Sequence, residues 1–423
     1  RRHHRARREP SGARGRGVSA ATLARLQDLV RSGRVHPLRP LAAPSTLPHR
    51  DLFAAAGESV LKALSSLLPH ASLTAPLDDP PGLREVVQRE LAEGRSLGFT
   101  RLDVVCPHDA PGAFQLLEVQ AGDPSAMGWH DELAVAFGEP QSLMPSHRRA
   151  LEALTPGRRI AFVVAKDSIV ESDHCLLAEH YAQHGWRSTV VDPRELSFDG
   201  RALLARGEPV DAVFRDAFEE LFTGEFAPGG AALIAAARAE AVVVMNPFAA
   251  ALADDKALLE PLSTPGRWNP GLAEVLRAHV PCTRVVRERR VDWEGREVDL
   301  LDFLRTAREQ AVLKPVDGYG GFGITVGAFA TAAAWDTALE EALRKPGRFV
   351  AQRYHPLPKE QVELLDGSTQ EAFVVHSLWF HPPLLGRSAP GLTGAFSRAS
   401  LQPVVNVHQG GGLAPVFFRP PFG

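Results

Sequence analysis

The stretch Ala311-Val312-Leu313-Lys314-Pro315-Val316-Asp317-Gly318-Tyr319-Gly320-Gly321-Phe322-Gly323-Ile324-Thr325-Val326 decides how the rest of the chain is read. Gly318, Gly320 and Gly323 satisfy G-x-G-x-x-G, but in a dinucleotide-binding unit that pattern must open a helix whose N-terminus receives the pyrophosphate. Here Ile324-Thr325-Val326 continues as strand, so the glycines are predicted to form the tip of a β-hairpin. Without Cβ atoms, such a tip brings bare backbone N–H groups close to phosphates. An ordinary flexible glycine turn is the alternative that this stretch alone leaves open. Protein kinases use a similar tip, and His49-Arg50-Asp51 spells their catalytic triplet. It precedes the glycine loop rather than following it, Ala56 stands where the kinase Asn is needed, and no Asp-Phe-Gly occurs. Lys314, just before the loop, can reach phosphates. Only six of the 47 basic residues are lysines (Lys62, Lys166, Lys256, Lys314, Lys345, Lys359), and a compact ammonium fits between phosphate oxygens where a planar guanidinium does not.

Outward from the loop, 423 residues suggest two or three lobes, and 44% hydrophobic with 23% charged residues is ordinary globular composition. Cys106, Cys175 and Cys282 are isolated from one another, which excludes a zinc ribbon or Cys-x-x-Cys site and favours a reducing, cytoplasmic setting. Seven arginines against Glu9 make residues 1–17 a basic tail, expected to be disordered and set aside from the fold. The remaining chain is acidic, so no nucleic-acid partner is expected. No apolar run is long enough for a membrane span. Oligomeric state is not readable.

Amphipathic helical patterns with two strands, Phe99–Cys106 and Ala113–Ala121, fill 18–155. Apolar strands at 160–165, 188–191, 210–214 and 241–245 alternate with helical stretches at 173–184 and 230–239, which predicts a small α/β lobe with a parallel sheet over 156–250. An irregular connector through 246–280 leads to strands at 311–316, 323–328, 348–354 and 372–380, so 251–423 reads as a third, glycine-loop-bearing part.

Period two places Arg101 and Asp103 on one face of the first strand and Glu118 and Gln120 on one face of the second. If the strands pair, one face offers two carboxylates, an amide oxygen and a guanidinium. Hard oxygen donors of this kind suit Mg²⁺ shared with phosphates, and Arg101 can hold an anion bidentately. The alternative is the solvated face of an antiparallel hairpin.

Arg101-x-Asp103, Glu118-Val119-Gln120-Ala121-Gly122-Asp123-Pro124-Ser125, Val213-Phe214-Arg215, Asp254-Asp255-Lys256-Ala257-Leu258-Leu259, Val312-Leu313-Lys314-Pro315 with its loop, Val350-Ala351-Gln352-Arg353-Tyr354 and Val405-Asn406-Val407-His408-Gln409-Gly410-Gly411-Gly412 follow one another along the chain. As an ordered set over about 99–415, they resemble the circularly permuted ATP-grasp ligases, in particular the glutathionylspermidine synthase-like group. The resemblance implies an α/β fold with α+β elements: a circularly permuted ATP-grasp with a small pre-ATP-grasp-like lobe. It implies Mg²⁺ on Asp103, Glu118 and Gln120, where the family usually has Asn at the last position. Arg101 would stabilise an acyl phosphate. Lys256 and Lys314 would contact ATP beneath the Gly318, Gly320, Gly321 and Gly323 loop, Gln352 would lie near the adenine, and Arg398 and Asn406 would face the transferred phosphate.

The implied chemistry is an ATP- and Mg²⁺-dependent ligase that activates a small carboxylate as an acyl phosphate for attack by an amine or thiol. A catalytically weak ATP-binding regulatory or scaffold protein is the alternative, for which Gln120 leaves room; a phosphotransferase making a stable phosphorylated product is a third. Lesser candidates are His180 and His184, at metal-binding helical spacing without a third ligand, and Arg215 at a strand end, facing substrate or an ion pair. Asp254 and Asp255 read as caps, and Trp129-His130-Asp131 as a border of the site or as packing.

Overall fold

The computed structural model describes residues 18–36, 45–47, 50–71, 80–107, 112–216, 220–381 and 391–418. The basic tail, most of the Pro-rich 37–48 stretch, the middle of the 107–112 turn and parts of the 386–423 tail lie outside these residues.

The two polar-faced strands form as Thr100–Val105 and Gln115–Gln120 and pair antiparallel, with Arg101 opposite Gln120 and Asp103 opposite Glu118. All four side chains therefore share one face. Beyond Asp103 the register shifts, so Val104 faces Leu116, and the apolar side of the hairpin turns into the core. Thr100–Val105 also pairs antiparallel with Thr369–His381, which carries on to Gly391–Ser400 and Gly412–Phe418. Ser45–Leu47 adds a parallel edge and Lys359–Glu363 pairs with Thr369–His381, giving a seven-stranded sheet among the described residues. The sheet thus takes strands from both ends of the chain. Helix Arg50–Leu67 buries Phe53, Val60, Leu61 and Leu64 in the core that also holds Leu102, Val104, Leu116 and Leu378.

The 156–250 stretch forms the parallel sheet expected of it, in the order Val243–Met245, Ala212–Arg215, Arg159–Val163, Arg187–Val191, with helices Glu171–Gln183 and Ala227–Arg238. A small antiparallel meander spanning 196–210 is added to it. Asn246, just past the first of these strands in spatial order, is fully buried and joins the lobe to the polar hairpin. Its Oδ1 accepts from the Phe99 N–H at 2.8 Å, and its Nδ2 donates to the carbonyls of Phe99 (2.8 Å) and Ala121 (2.7 Å). A Cβ at Gly98 would lie 1.9 Å from the Asn246 Oδ1, so only glycine allows this approach.

The third sheet runs Thr283–Val285, Phe349–Arg353, Ala311–Pro315, Thr325–Val326, all antiparallel. Val312 pairs with Val326 and Leu313 with Thr325, which makes the glycine stretch a hairpin tip, as its β-branched continuation requires. The returning strand is only two residues long, not the 323–328 expected, because Gly321 and Gly323 turn through positive φ just before it. The strand expected at 372–380 forms within Thr369–His381 and belongs to the large sheet. Helices Leu300–Thr306 and Ala332–Arg344 close the core of the third sheet through Leu304, Trp335 and Leu339. No helix among the described residues is long and apolar enough to cross a membrane.

Candidate active site

A cavity of about 320 Å³ opens where the three sheets meet. Its walls include Arg101, Glu118 and Gln120 from the polar hairpin, Lys256, Gly318 and Gly320. Arg398 and Asn406 reach it from the C-terminal end of the chain. The polar hairpin face is therefore the floor of a cavity and not a solvated surface.

Asp103 shares that face but is covered on it by its neighbours. It is 1% exposed and does not line the cavity. Its Oδ1 accepts from Arg101 Nε at 3.0 Å and Ser377 Oγ at 2.6 Å; its Oδ2 accepts from Arg101 Nη2 at 3.1 Å and pairs with Arg398 Nη2 at 2.8 Å. Burial works to raise the Asp103 pKa, but the two guanidinium groups and the serine hold the carboxyl down to about 2. Arg101 also donates to the Ser125 carbonyl (3.0 Å) and lies over the rings of Trp379 and Phe396. Ser377 faces Asp103 across the sheet, and Arg398 sits one strand farther on. Register alone brings the four groups together.

Lys256 lies against the glycine loop. Its Nζ donates to the Gly318 carbonyl at 2.6 Å and lies 3.4 Å from Glu118 Oε2. Around the tip, Tyr319 donates to Glu220 Oε1 at 2.6 Å, Gln409 Nε2 to the Gly320 carbonyl at 3.2 Å, and Arg348 pairs with Asp317. Lys314 and Gln352 are placed differently. Both are buried off the cavity, where Lys314 Nζ donates to Gln352 Oε1 at 2.6 Å and to the Leu117 carbonyl at 2.9 Å. Burial, with Lys256 nearby, lowers the Lys314 pKa to about 8 against the pull of Glu118 and Asp103. These contacts stitch the third sheet to the strand that carries Glu118.

The opposite wall is acidic. Asp254 accepts from the N–H groups of Ala121 (2.5 Å) and Gly122 (3.0 Å), yet burial and the neighbouring Asp123 push its carboxyl up to about 8. Only Asp255 of this pair caps a helical turn, accepting from the Ala257 N–H at 2.8 Å. Arg215 is wholly buried against Phe248 and does not reach the cavity. Trp129 borders the cavity, whereas Asp131 accepts from the N–H groups of Ser142, Leu143 and Met144 at the head of helix Leu143–Leu154. The rings of His180 and His184 lie 4.4 Å apart, tilted by 36°, and no set of three His, Cys, Asp or Glu side chains that could hold a metal forms among the described residues. Ser377 and Glu220 lie in no motif that would have marked them, and the stretches that hold Tyr319 and Gln409 give neither residue a role.

Glu118 and Gln120 stand side by side on the cavity, the Gln120 amide 3.4 Å from Glu118 Oε1. A turn of that amide presents its oxygen instead. Two oxygen donors fit a magnesium ion that takes its other ligands from water and phosphate.

A profile of the family described as circularly permuted ATP-grasp type 2 matches residues 141–374. That span holds the small lobe, Lys256, Lys314, the glycine loop and Gln352, and leaves Arg101 to Gln120, Arg398 and Asn406 outside. No curated protein matches the chain in sequence. Among solved structures, a glutathione synthetase-like effector from Globodera pallida is similar over 94% of this chain and 96% of its own, at TM-score 0.58 and 12% identity. A protein from Methylobacillus flagellatus described as a gamma-glutamylcysteine synthetase is similar over 84% and 85%, at TM-score 0.44 and 12% identity. With the profile covering more than half of its length, the chain belongs to the circularly permuted ATP-grasp type 2 family and is an ATP-grasp ligase.

Proposed function

We propose that the chain joins a small carboxylic acid to an amine or thiol through an acyl phosphate, with ATP converted to ADP and phosphate. A carboxylate oxygen attacks the γ-phosphorus of ATP and ADP leaves. The nucleophile then attacks the acyl carbon, the C–O bond breaks toward phosphate, and the nucleophile's proton is given up. The observation that carries this reading is the convergence on one cavity of Arg101, Arg398 and Lys256 with a glycine hairpin. Phosphoryl transfer needs fixed cations and close backbone N–H donors, and little else from the protein. Lys256 holds the loop carbonyl and is placed for the terminal phosphates, and Gly318 and Gly320 bring bare backbone to them. Arg101 and Arg398 meet the charge that develops on the transferred group. Glu118 and Gln120 would hold magnesium, which when bound neutralises and aligns the phosphates. Lys314 and Gln352, buried off the cavity, tie the third sheet to the strand that carries Glu118. The isolated cysteines fit a reducing, cytoplasmic setting.

The runner-up, a weak ATP-binding protein, is favoured by one observation: Lys314 and Gln352 are engaged with each other. ADP release with Mg·ATP and fractionated small-metabolite extract separates the two. Turnover in one fraction, lost in Lys256→Ala and Glu118→Ala, supports the ligase; nucleotide binding with no turnover in any fraction supports the runner-up.

A further inference from the structure

We propose that Asp103 is a positioning residue and not a metal ligand: it locks Arg101 and Arg398 into a two-guanidinium clamp that faces the cavity. The inference rests on the ligase reading above and assigns the metal side of the site to Glu118 and Gln120.

An ionised carboxylate offers about four lone-pair sites. At Asp103 four donors already take them: Arg101 Nε and Nη2, Arg398 Nη2 and Ser377 Oγ, at 2.6–3.1 Å. A divalent cation there would have to displace a guanidinium and sit against the two positive charges. Glu118 and Gln120 carry no such load on the cavity side: Glu118 meets the Gln120 amide and the Lys256 ammonium, each at 3.4 Å.

The clamp, by contrast, is well suited to an anion. Arg101 is fixed on three sides: by Asp103, by the Ser125 carbonyl, and by the rings of Trp379 and Phe396. Two of its five N–H bonds remain beyond those contacts. Arg398 spends one N–H on Asp103, and its buried Nε has no partner among the described residues. Two guanidiniums against one carboxylate leave a net positive charge beside the cavity. Asp103 thus prevents the two cations from splaying apart while leaving them cationic toward a phosphoryl group in flight, which is the preorganisation that electrostatic catalysis needs. On the shared face of the hairpin Asp103 is buried and does not line the cavity, whereas Arg101 and Arg398 do, and that is the place of a support.

The test separates the two roles by probe. Mn²⁺ binding in the presence of ADP, followed by the electron paramagnetic resonance signal of free Mn²⁺, reports the metal site. Binding of Mg·ADP with tetrafluoroaluminate, a mimic of the transferring phosphoryl group, reports the clamp. For Asp103→Asn the Mn²⁺ constant is expected to stay within about twofold of the unchanged chain, and the aluminium fluoride complex to weaken by about tenfold or more. Glu118→Gln is expected to weaken Mn²⁺ by about tenfold. Ser377→Ala, which keeps both ion pairs and so guards against loss of fold, should show the Asp103→Asn split at smaller size. A merely structural role would move both readouts together, and that outcome would overturn the proposal. Loss of Mn²⁺ binding in Asp103→Asn equal to that in Glu118→Gln sinks it alone. An unchanged chain that binds no Mn²⁺ with ADP takes down the ligase reading and this inference together.

Discussion

Replacing Lys256 by methionine keeps the length of the side chain and removes its charge. In the free protein the substitution deletes the 2.6 Å hydrogen bond to the Gly318 carbonyl and the 3.4 Å ion pair to Glu118. The carbonyl borders the cavity and can take a water instead, so the cost to folding is about 1 kcal/mol. The effect on nucleotide binding is larger. A charge-assisted hydrogen bond to phosphate contributes about 1.5–3 kcal/mol, and at about 1.4 kcal/mol per factor of ten the loss is roughly 10- to 150-fold in Kd. Calorimetric titration of Mg·ATP against both chains measures this, with urea unfolding alongside to confirm that the fold persists. A Kd within about twofold of the unchanged chain would refute the placement of Lys256 at the phosphates. So would a weakening accompanied by loss of the cooperative unfolding transition.

Three further outcomes follow from other parts of the molecule. Asn246→Ala leaves the Phe99 N–H and two carbonyls unpaired in a buried position, and at about 1–3 kcal/mol per orphaned group the urea midpoint should fall sharply, with Mg·ATP binding weakened because the hairpin loses its tie to the lobe. His147 is wholly buried and burial, with His180 and His174 nearby, lowers its imidazole pKa to about 3. Above pH 6.5 it contributes nothing to the pH dependence; as pH falls from 6.5 toward 3 the unfolded chain gains a proton that the folded chain does not, so by pH 5 stability drops by about 2 kcal/mol, and the difference between urea midpoints at pH 7 and pH 5 should shrink in His147→Gln. Gly321→Ala places a Cβ at φ +76°, 2.8 Å from Val404 Cγ1; ADP release should fall severalfold with little change in melting temperature, since only the loop tip is displaced.

Much of this arrangement is written locally. The alternation in 100–105 and 115–120 is enough to place Arg101, Asp103, Glu118 and Gln120 on one face, because side-chain direction in a strand has period two. The β-branched residues after Gly323 likewise distinguish a hairpin tip from a helix-capping loop, and strand–helix alternation exposes the parallel lobe. What alternation does not carry is which strand lies next to which. Ser377 and Arg398 reach Asp103 only because Thr369–His381 pairs with Thr100–Val105, some 270 residues away in sequence. Asp103 therefore reads as a metal ligand from its own strand and as an arginine anchor once its neighbours are present. Lys314 shows the same limit. Period two fixes its face but not whether that face meets the cavity or the adjoining sheet. Helix Met127–Ala136 has no apolar stripe to read, being buried nearly all round.

On the proposed reading, a carboxylate is phosphorylated in this cavity before any bond to an amine or thiol forms. Hydroxylamine added to the chain, Mg·ATP and each fraction of a small-metabolite extract tests it directly, because hydroxylamine converts an acyl phosphate to a stable hydroxamate identifiable by mass. A hydroxamate is expected in the fraction that supports ADP release, in proportion to the ADP formed, and none with Lys256→Ala. ADP release that never yields a hydroxamate, and instead leaves a stable phosphorylated product, would contradict that reading.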